Sequence, residues 1–133
     1  MKIEHLAIWS SNIEQLADFY IRYFDGKKGA RYHNPKKGFS SYFVSFEEGC
    51  RLEIMHREDI PTSTNDPIVQ ATGITHFAFE LGSESAVNDK TEQLREAGYQ
   101  VVDGPRTTGD GYYESVILDP EGNRLELACV AGE

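Results

Sequence analysis

From Ile3 to Trp9 the chain reads IEHLAIW, a short alternation of apolar and polar positions rich in branched residues, which predicts a β-strand. Ser11 or Asn12 then offers a helix N-cap, and Ile13, Leu16, Ala17, Tyr20 and Phe24 recur at helical spacing. Gly26 stands where a helix C-cap glycine belongs. SSYFVSF and CRLEIM follow as strands, the second entered through the turn EEG. The same succession returns further along. ITHFAFEL predicts a strand and Ser83 or Ser85 a cap, and Ala86, Val87, Lys90, Leu94 and Ala97 carry a helix that Gly98 ends. YQVV, YESVIL and NRLELAC supply three more strands, the last two joined by the tight turn Asp119 to Gly122, DPEG. Each half therefore reads β-α-β-β-β, an α+β pattern, with module 1 over residues 1–56 and module 2 over 74–130. Residues 57–73, polar and turn-rich, read as the linker inside a single domain of residues 1–133.

The two halves also share letters. EGCRLEI (Glu48 to Ile54) recurs 73 positions later as EGNRLEL (Glu121 to Leu127). IEHLAI (Ile3 to Ile8) recurs 71 positions later as ITHFAF (Ile74 to Phe79), which is Ile, any residue, His, apolar, Ala, apolar. Two landmarks in the same order at nearly the same separation mark a duplication.

Strand alternation turns that duplication into chemistry. Side chains along a strand point to opposite faces in turn. Leu6 and Ile8 share one face, and Ile3, His5 and Ala7 the other; Leu52 and Ile54 oppose Arg51, Glu53 and Met55. In the second copy Phe77 and Phe79 oppose His76, while Leu125 and Leu127 oppose Glu126. The large apolar residues must cover the helix-packed face, so His5, Glu53, His76 and Glu126 project from the other. Two imidazoles and two carboxylates at matched positions suit a borderline divalent metal such as nickel, zinc, cobalt or iron, and two glutamates balance a dication. A lone histidine or glutamate on a strand is ordinarily a bystander; four at corresponding repeat positions are not independent.

Composition narrows the remaining classes. A formal net charge of −9 argues against nucleic acid, which needs clustered Lys and Arg. No apolar run approaches the roughly 18 residues that span a bilayer, and MKIEHLAIW has the charges and lacks the cleavage site that separate it from an export signal. Cys50 and Cys129 form no CxxC pair and read as reduced thiols of a cytoplasmic protein.

Paired β-α-β-β-β modules, a His opening each module, a Glu on each last strand and the motif DPEGNRLEL together resemble the vicinal oxygen chelate superfamily. It includes glyoxalase I, methylmalonyl-CoA epimerase, fosfomycin-resistance transferases, extradiol dioxygenases and the metal-free bleomycin-resistance proteins. The resemblance spans residues 3 to 130 and implies two modules forming a curved sheet, the glyoxalase/bleomycin-resistance/dioxygenase fold. The His, Glu, His, Glu set is most similar to that of glyoxalase I (lactoylglutathione lyase), which implies one divalent metal per site, held by His5, Glu53, His76 and Glu126. It further implies proton transfer through a metal-stabilised enediolate of a 2-oxoaldehyde–thiol adduct, with Glu126 the better candidate for the base and Glu53 for reprotonation. The resemblance also implies a homodimer with each metal site shared between chains, the linker allowing one module to pair across a two-fold axis. The other readings it leaves open are an epimerase, a thiol transferase, a dioxygenase or a small-molecule-binding resistance-type protein.

Two positions depart from the short bacterial glyoxalase I pattern. Trp9 stands where an arginine normally meets a glutathione carboxylate, and Arg57 replaces the asparagine common four residues after the first glutamate. An indole cannot pair with a carboxylate, so the thiol is expected to differ from glutathione. Arg31, Lys36, Lys37 and Arg106 read as solvated loop charges, His33 as surface, and Tyr112, Tyr113 and His56 as core or rim residues.

Overall fold

In the computed structural model, which describes residues 1–133, the chain divides into two compact units, Met1–Thr64 and Asn65–Glu133. The first contains β1 (His5–Trp9), α1 (Ile13–Phe24), β2 (Lys27–Lys28), β3 (Tyr32–Asn34), β4 (Phe39–Ser45) and β5 (Arg51–Arg57). The second contains β6 (His76–Glu80), α2 (Glu84–Glu96), β7 (Val101–Thr107), β8 (Tyr112–Leu118) and β9 (Arg124–Val130). Each unit folds one helix against one sheet, which makes the chain α+β. The strand orders correspond: β1-β5-β4-β2, with β3 also on β4, and β6-β9-β8-β7. In both, the first strand runs parallel to the last and every other pairing is antiparallel.

The helices form where the caps and apolar stripes require. Asn12 caps α1, its side chain accepting from the Gln15 amide, and Ser83 caps α2 by accepting from the Ala86 amide. Leu16, Ala17 and Tyr20 of α1 are fully buried against a sheet face bearing Val44, Leu52 and Ile54. In the second unit Val87 and Leu94 of α2 lie with Ile117, Leu125, Leu127 and Cys129 in the core. One polar pair shares that interior. The Thr91 hydroxyl lies 2.6 Å from the Val87 carbonyl and 2.6 Å from the Ser115 hydroxyl, so neither hydroxyl is buried unsatisfied.

Several boundaries differ from the sequence reading; β7, for example, runs Val101–Thr107 rather than over YQVV. The first strand of each copy starts at its histidine rather than at Ile3 or Ile74, because the parallel partner begins only at Arg51 or Arg124; both isoleucines are exposed. The left-handed residue that closes α1 is Asp25, at φ 55°, and not Gly26. Gly26 answers a different need: a Cβ there would lie 2.6 Å from a Val44 methyl carbon, so only glycine lets the chain pass β4. The first sheet also gains the short β3, an addition to the β-α-β-β-β pattern, and Arg57 belongs to β5 rather than to the segment after it.

The glycine shared by the EG-x-RLE repeats has a backbone cause. Gly49 and Gly122 hold φ of 87° and 82°, a left-handed turn geometry immediately before the last strand of each unit. Around Gly122 the DPEGN motif is a self-bonded turn. Buried Asp119 accepts from the amides of Glu121 and Asn123 at 2.9 Å each, and the Asn123 side chain donates to its second oxygen at 2.8 Å. These bonds fix the turn that leads into β9.

Candidate metal-binding residues

Register decides what faces what. Ala7 is level with Glu53 in module 1 and Ala78 with Glu126 in module 2, so each histidine lies two residues back on the same sheet face as its glutamate. His5 Nε2 stands 3.7 Å from Glu53 Oε1, and His76 Nε2 stands 3.0 Å from Glu126 Oε1. The apolar neighbours alternate onto the helix side as expected, Leu52, Ile54, Leu125 and Leu127 being buried. Small alanines beside the histidines leave the polar face open. The structure brings His5 to Glu53 and His76 to Glu126; it gathers no group of three or more metal-ligating side chains.

Donor chemistry is the test of whether such a pair suits a metal. Two ligands each about 2.1 Å from one ion and about 90–110° apart lie roughly 3.0–3.4 Å from each other. The 3.0 Å pair falls in that range and the 3.7 Å pair just outside it. Both carboxylates are only 18% and 17% exposed, and neither pairs with a lysine or arginine. Half-desolvated anions facing one imidazole each fit a dication well, since charge in such a setting needs a counter-charge.

The outer contacts of the histidines differ between modules. His5 Nδ1 is 2.5 Å from Glu4 Oε2, and Glu4 is in turn paired with Arg51. The hydrogen bond from His5, with the Arg51 guanidinium, holds the Glu4 carboxyl below the usual glutamate range. Arg51 also lies over the Phe43 ring, 4.0 Å from its centroid, and that ring meets the His5 imidazole edge to face. In module 2 His76 Nδ1 is 3.0 Å from the Thr75 hydroxyl, while Arg124 donates to the Pro67 carbonyl at 2.6 Å. A third carboxylate, Glu114, stands on the same sheet face as Glu126, diagonal to it through Val116. Burial first, then the charges of Glu126 and Asp110, push its pKa above the ordinary value.

Sequence reasoning missed Glu4, Thr75 and Glu114. The first two occupy the variable letter before each repeat histidine, and Glu114 lies at an alternating position of YESVIL. Of the other candidates, His56 lies 2.9 Å from the Ser10 carbonyl, Tyr113 donates to Asn88 at 2.7 Å, and His33 is 2.8 Å from the Ser40 hydroxyl. All three thus make local polar contacts, and His33 is exposed as the sequence reading expects. Tyr112 is exposed. Arg106 is paired with Asp103 at 2.9 Å, and Arg31 donates to Ser40. Trp9 is 41% exposed at the far end of the His5 face, with the Arg57 guanidinium 5.2 Å from its ring centroid and Phe39 edge-on at 6.1 Å. Lys37 and Arg57 line an open cleft of about 430 Å³ with Gly38, Glu58 and Asp59.

A duplicated helix-on-sheet module is the architecture of the vicinal oxygen chelate proteins, and here each copy carries a His–Glu pair on its open face. The chain belongs to the Glyoxalase/Bleomycin resistance protein/Dioxygenase superfamily, whose model matches residues 2–127. Among solved structures, a glyoxylase/bleomycin resistance protein/dioxygenase domain from Frankia sp. EAN1pec superposes with a TM-score of 0.81 at 15% identity, over 98% of both chains. A glyoxalase family protein from Enterococcus faecalis is 26% identical, with a TM-score of 0.76 over 96% of this chain and 97% of its own. The trypanothione-dependent glyoxalase I of Leishmania major matches at 0.74 and 19% identity, over 96% of this chain and 85% of its own. In sequence, the Bacillus subtilis (strain 168) protein YqjT is 35% identical over 60 residues, which are 43% of this chain and 47% of that relative. No helix is long and apolar enough to cross a membrane.

Proposed function

We propose that this protein is a metal-dependent lyase or isomerase. It moves a proton between adjacent carbons of a small hydroxy-carbonyl, the adduct of a 2-oxoaldehyde with a thiol other than glutathione. The observation that carries the reading is the matched pair of His–Glu contacts, repeated on equivalent open faces with spacings near those of neighbouring metal ligands. His5, Glu53, His76 and Glu126 are the proposed ligands of one divalent ion, nickel, zinc or cobalt. Such an ion, when bound, would acidify the C–H next to the substrate carbonyl and offset the negative charge that develops on the two neighbouring oxygens. Glu126 takes the proton as general base and Glu53 returns it to the neighbouring carbon. Both carboxylates are mostly shielded from water, which favours proton movement within the site over exchange with solvent. The small side chains of Ala7 and Ala78 leave room for substrate beside them. The choice of thiol rests on Trp9: an indole partly covered by Arg57 has no donor geometry for a carboxylate clamp. The two free thiols, Cys50 and Cys129, suit a reducing cytoplasm.

The test loads the purified protein with nickel or cobalt and measures metal by elemental analysis, then screens methylglyoxal with several thiols. About one ion per chain is expected, together with turnover for at least one thiol. Metal content unchanged in the His5→Ala/Glu126→Ala double variant, or no turnover with any thiol in the loaded protein, defeats the reading.

A further inference from the structure

The open face of the first unit carries more than the His5–Glu53 pair. One step beyond Glu53 the strands set Trp9, Met55, Ser41 and Tyr32 level with one another: Trp9 is in register with Met55, Met55 with Ser41, and Ser41 with Tyr32. Residues in register on neighbouring strands share a face, and Met55, two positions from Glu53 along β5, shares the face of Glu53. Phe39 joins the row from the next level of β4, its ring centroid 6.1 Å from that of Trp9 and 6.0 Å from that of Tyr32. An aromatic row thus crosses the sheet. It lies open to water, with Trp9 41% and Tyr32 54% exposed.

The duplication supplies the comparison that a lone patch lacks. At the same level of the second unit, one step beyond Glu126, the register sets Glu80, Ala128, Glu114 and Arg106 side by side. Charged side chains there occupy the positions that hold Trp9, Ser41 and Tyr32 in the first unit. The fold therefore accepts polar residues at this level, and large rings left in water forgo the stabilisation that burial brings. Packing does not account for the row; a ligand does.

Charge and distance say what kind of ligand. The Arg57 guanidinium, 5.2 Å from the Trp9 ring centroid, is already paired with Asp59. The cleft beside it sets Lys37 and Arg57 against Glu58 and Asp59, so its charges balance. Such a setting gives a carboxylate no net attraction. It suits a neutral ring, which meets other rings edge to face or offset-stacked. Side chains on one face of a strand repeat about every 7 Å, so the row starts about 7 Å from Glu53, at Met55, and ends about 13 Å from His5, at Trp9.

We propose that this row is the subsite for the non-reacting end of the substrate, and that the thiol of the adduct carries a neutral aromatic group on a short alkyl chain. The assignment rests on the function proposed above, because it places the reacting carbons beside His5 and Glu53 and the ring beyond them. Trp9, Phe39 and Tyr32 are then the residues that determine which thiol is accepted.

Trp9 is the single tryptophan of the chain, so its fluorescence reports the row without any metal. The metal-stripped protein is titrated anaerobically with phenylpropanethiol, propanethiol and glutathione. Phenylpropanethiol should give a saturable change, with binding at least tenfold tighter than that of the other two. Tyr32→Arg and Trp9→Glu place the second unit's residues in the row, both at exposed positions. Each should weaken phenylpropanethiol about tenfold, the scale of one lost aromatic contact together with its burial. Fluorescence reads the first variant and calorimetry the second, and far-UV circular dichroism verifies that each is folded; should Trp9→Glu not fold, Tyr32→Arg decides. Equal affinity for propanethiol or glutathione, or unchanged affinity in the folded variants, overturns the proposal. In the nickel-loaded protein, the methylglyoxal adduct of phenylpropanethiol should show a KM about tenfold below that of the glutathione adduct. Turnover without that preference sinks the subsite and leaves the function standing. Ring-selective binding with no turnover of any adduct defeats the metal-dependent function and upholds the aromatic site.

Discussion

Glu114 shows how a single side chain joins site and stability. Burial and the nearby Glu126 and Asp110 charges favour its neutral form. The folded state therefore holds that proton more tightly than the unfolded chain does. The resulting stabilisation is complete below the ordinary glutamate range and is lost as pH rises through the raised value. Glu114→Gln, which cannot ionise, should accordingly gain on the wild type between acidic and neutral pH. Urea unfolding of both proteins at pH 4 and pH 7 checks the sign: an advantage for Gln confined to pH 7 is expected, and the reverse order would contradict it. Trp9 carries a second prediction. Restoring a carboxylate clamp adds a charge-assisted contact of about 2 kcal/mol, or more than tenfold in kcat/KM. Trp9→Arg alone would set two guanidinium groups together, because Arg57 already lies over that ring. Trp9→Arg with Arg57→Asn is therefore the variant expected to improve turnover of the glutathione–methylglyoxal adduct. Efficient turnover by the wild type would show that the indole is no obstacle.

Among the elements, α1 is the most deeply anchored. It buries seven residues, Leu16, Ala17 and Tyr20 completely, whereas α2 buries three, one of them Thr91. Leu16→Ala should cost about 2–5 kcal/mol, because the side chain is fully buried and the core relaxes only partly into the cavity left behind. Asn12→Ala, which removes the acceptor for the Gln15 amide, should cost about 1 kcal/mol. Denaturant titration followed by far-UV circular dichroism separates the two; equal losses would mean that capping, not packing, holds the helix.

Each unit by itself supplies one imidazole and one carboxylate, half of the ligand set proposed for the metal. The homodimer implied by the resemblance predicts that His5 and Glu53 of one chain share an ion with the partner's His76 and Glu126. One variant lacking His5 and Glu53 and another lacking His76 and Glu126 should each be metal-free. Refolded together, they should recover metal binding in the heterodimer, which regains one complete site. A mixture that forms heterodimers and stays empty would put all four ligands in one chain.

Much of this molecule was legible in the order of its residues. The repeat, the helices and the sheet face taken by each histidine and glutamate follow from periods of 3.6 and 2, which are local properties of a chain. The RLE and I-x-H letters could therefore be assigned to faces before any contact was known. Where contacts depend on distant backbone, only the tertiary structure decided. It showed Gly26 serving close approach to Val44 rather than a left-handed cap, because that clearance depends on a strand eighteen residues away. It brought Glu114 onto the face of Glu126 through the β8–β9 register. It also made the discarded letter of the repeat, Glu4 or Thr75, the partner of each histidine ring. Periodicity says which face a side chain takes, but hydrogen bonds are made at ångström distances, and those are set by folding.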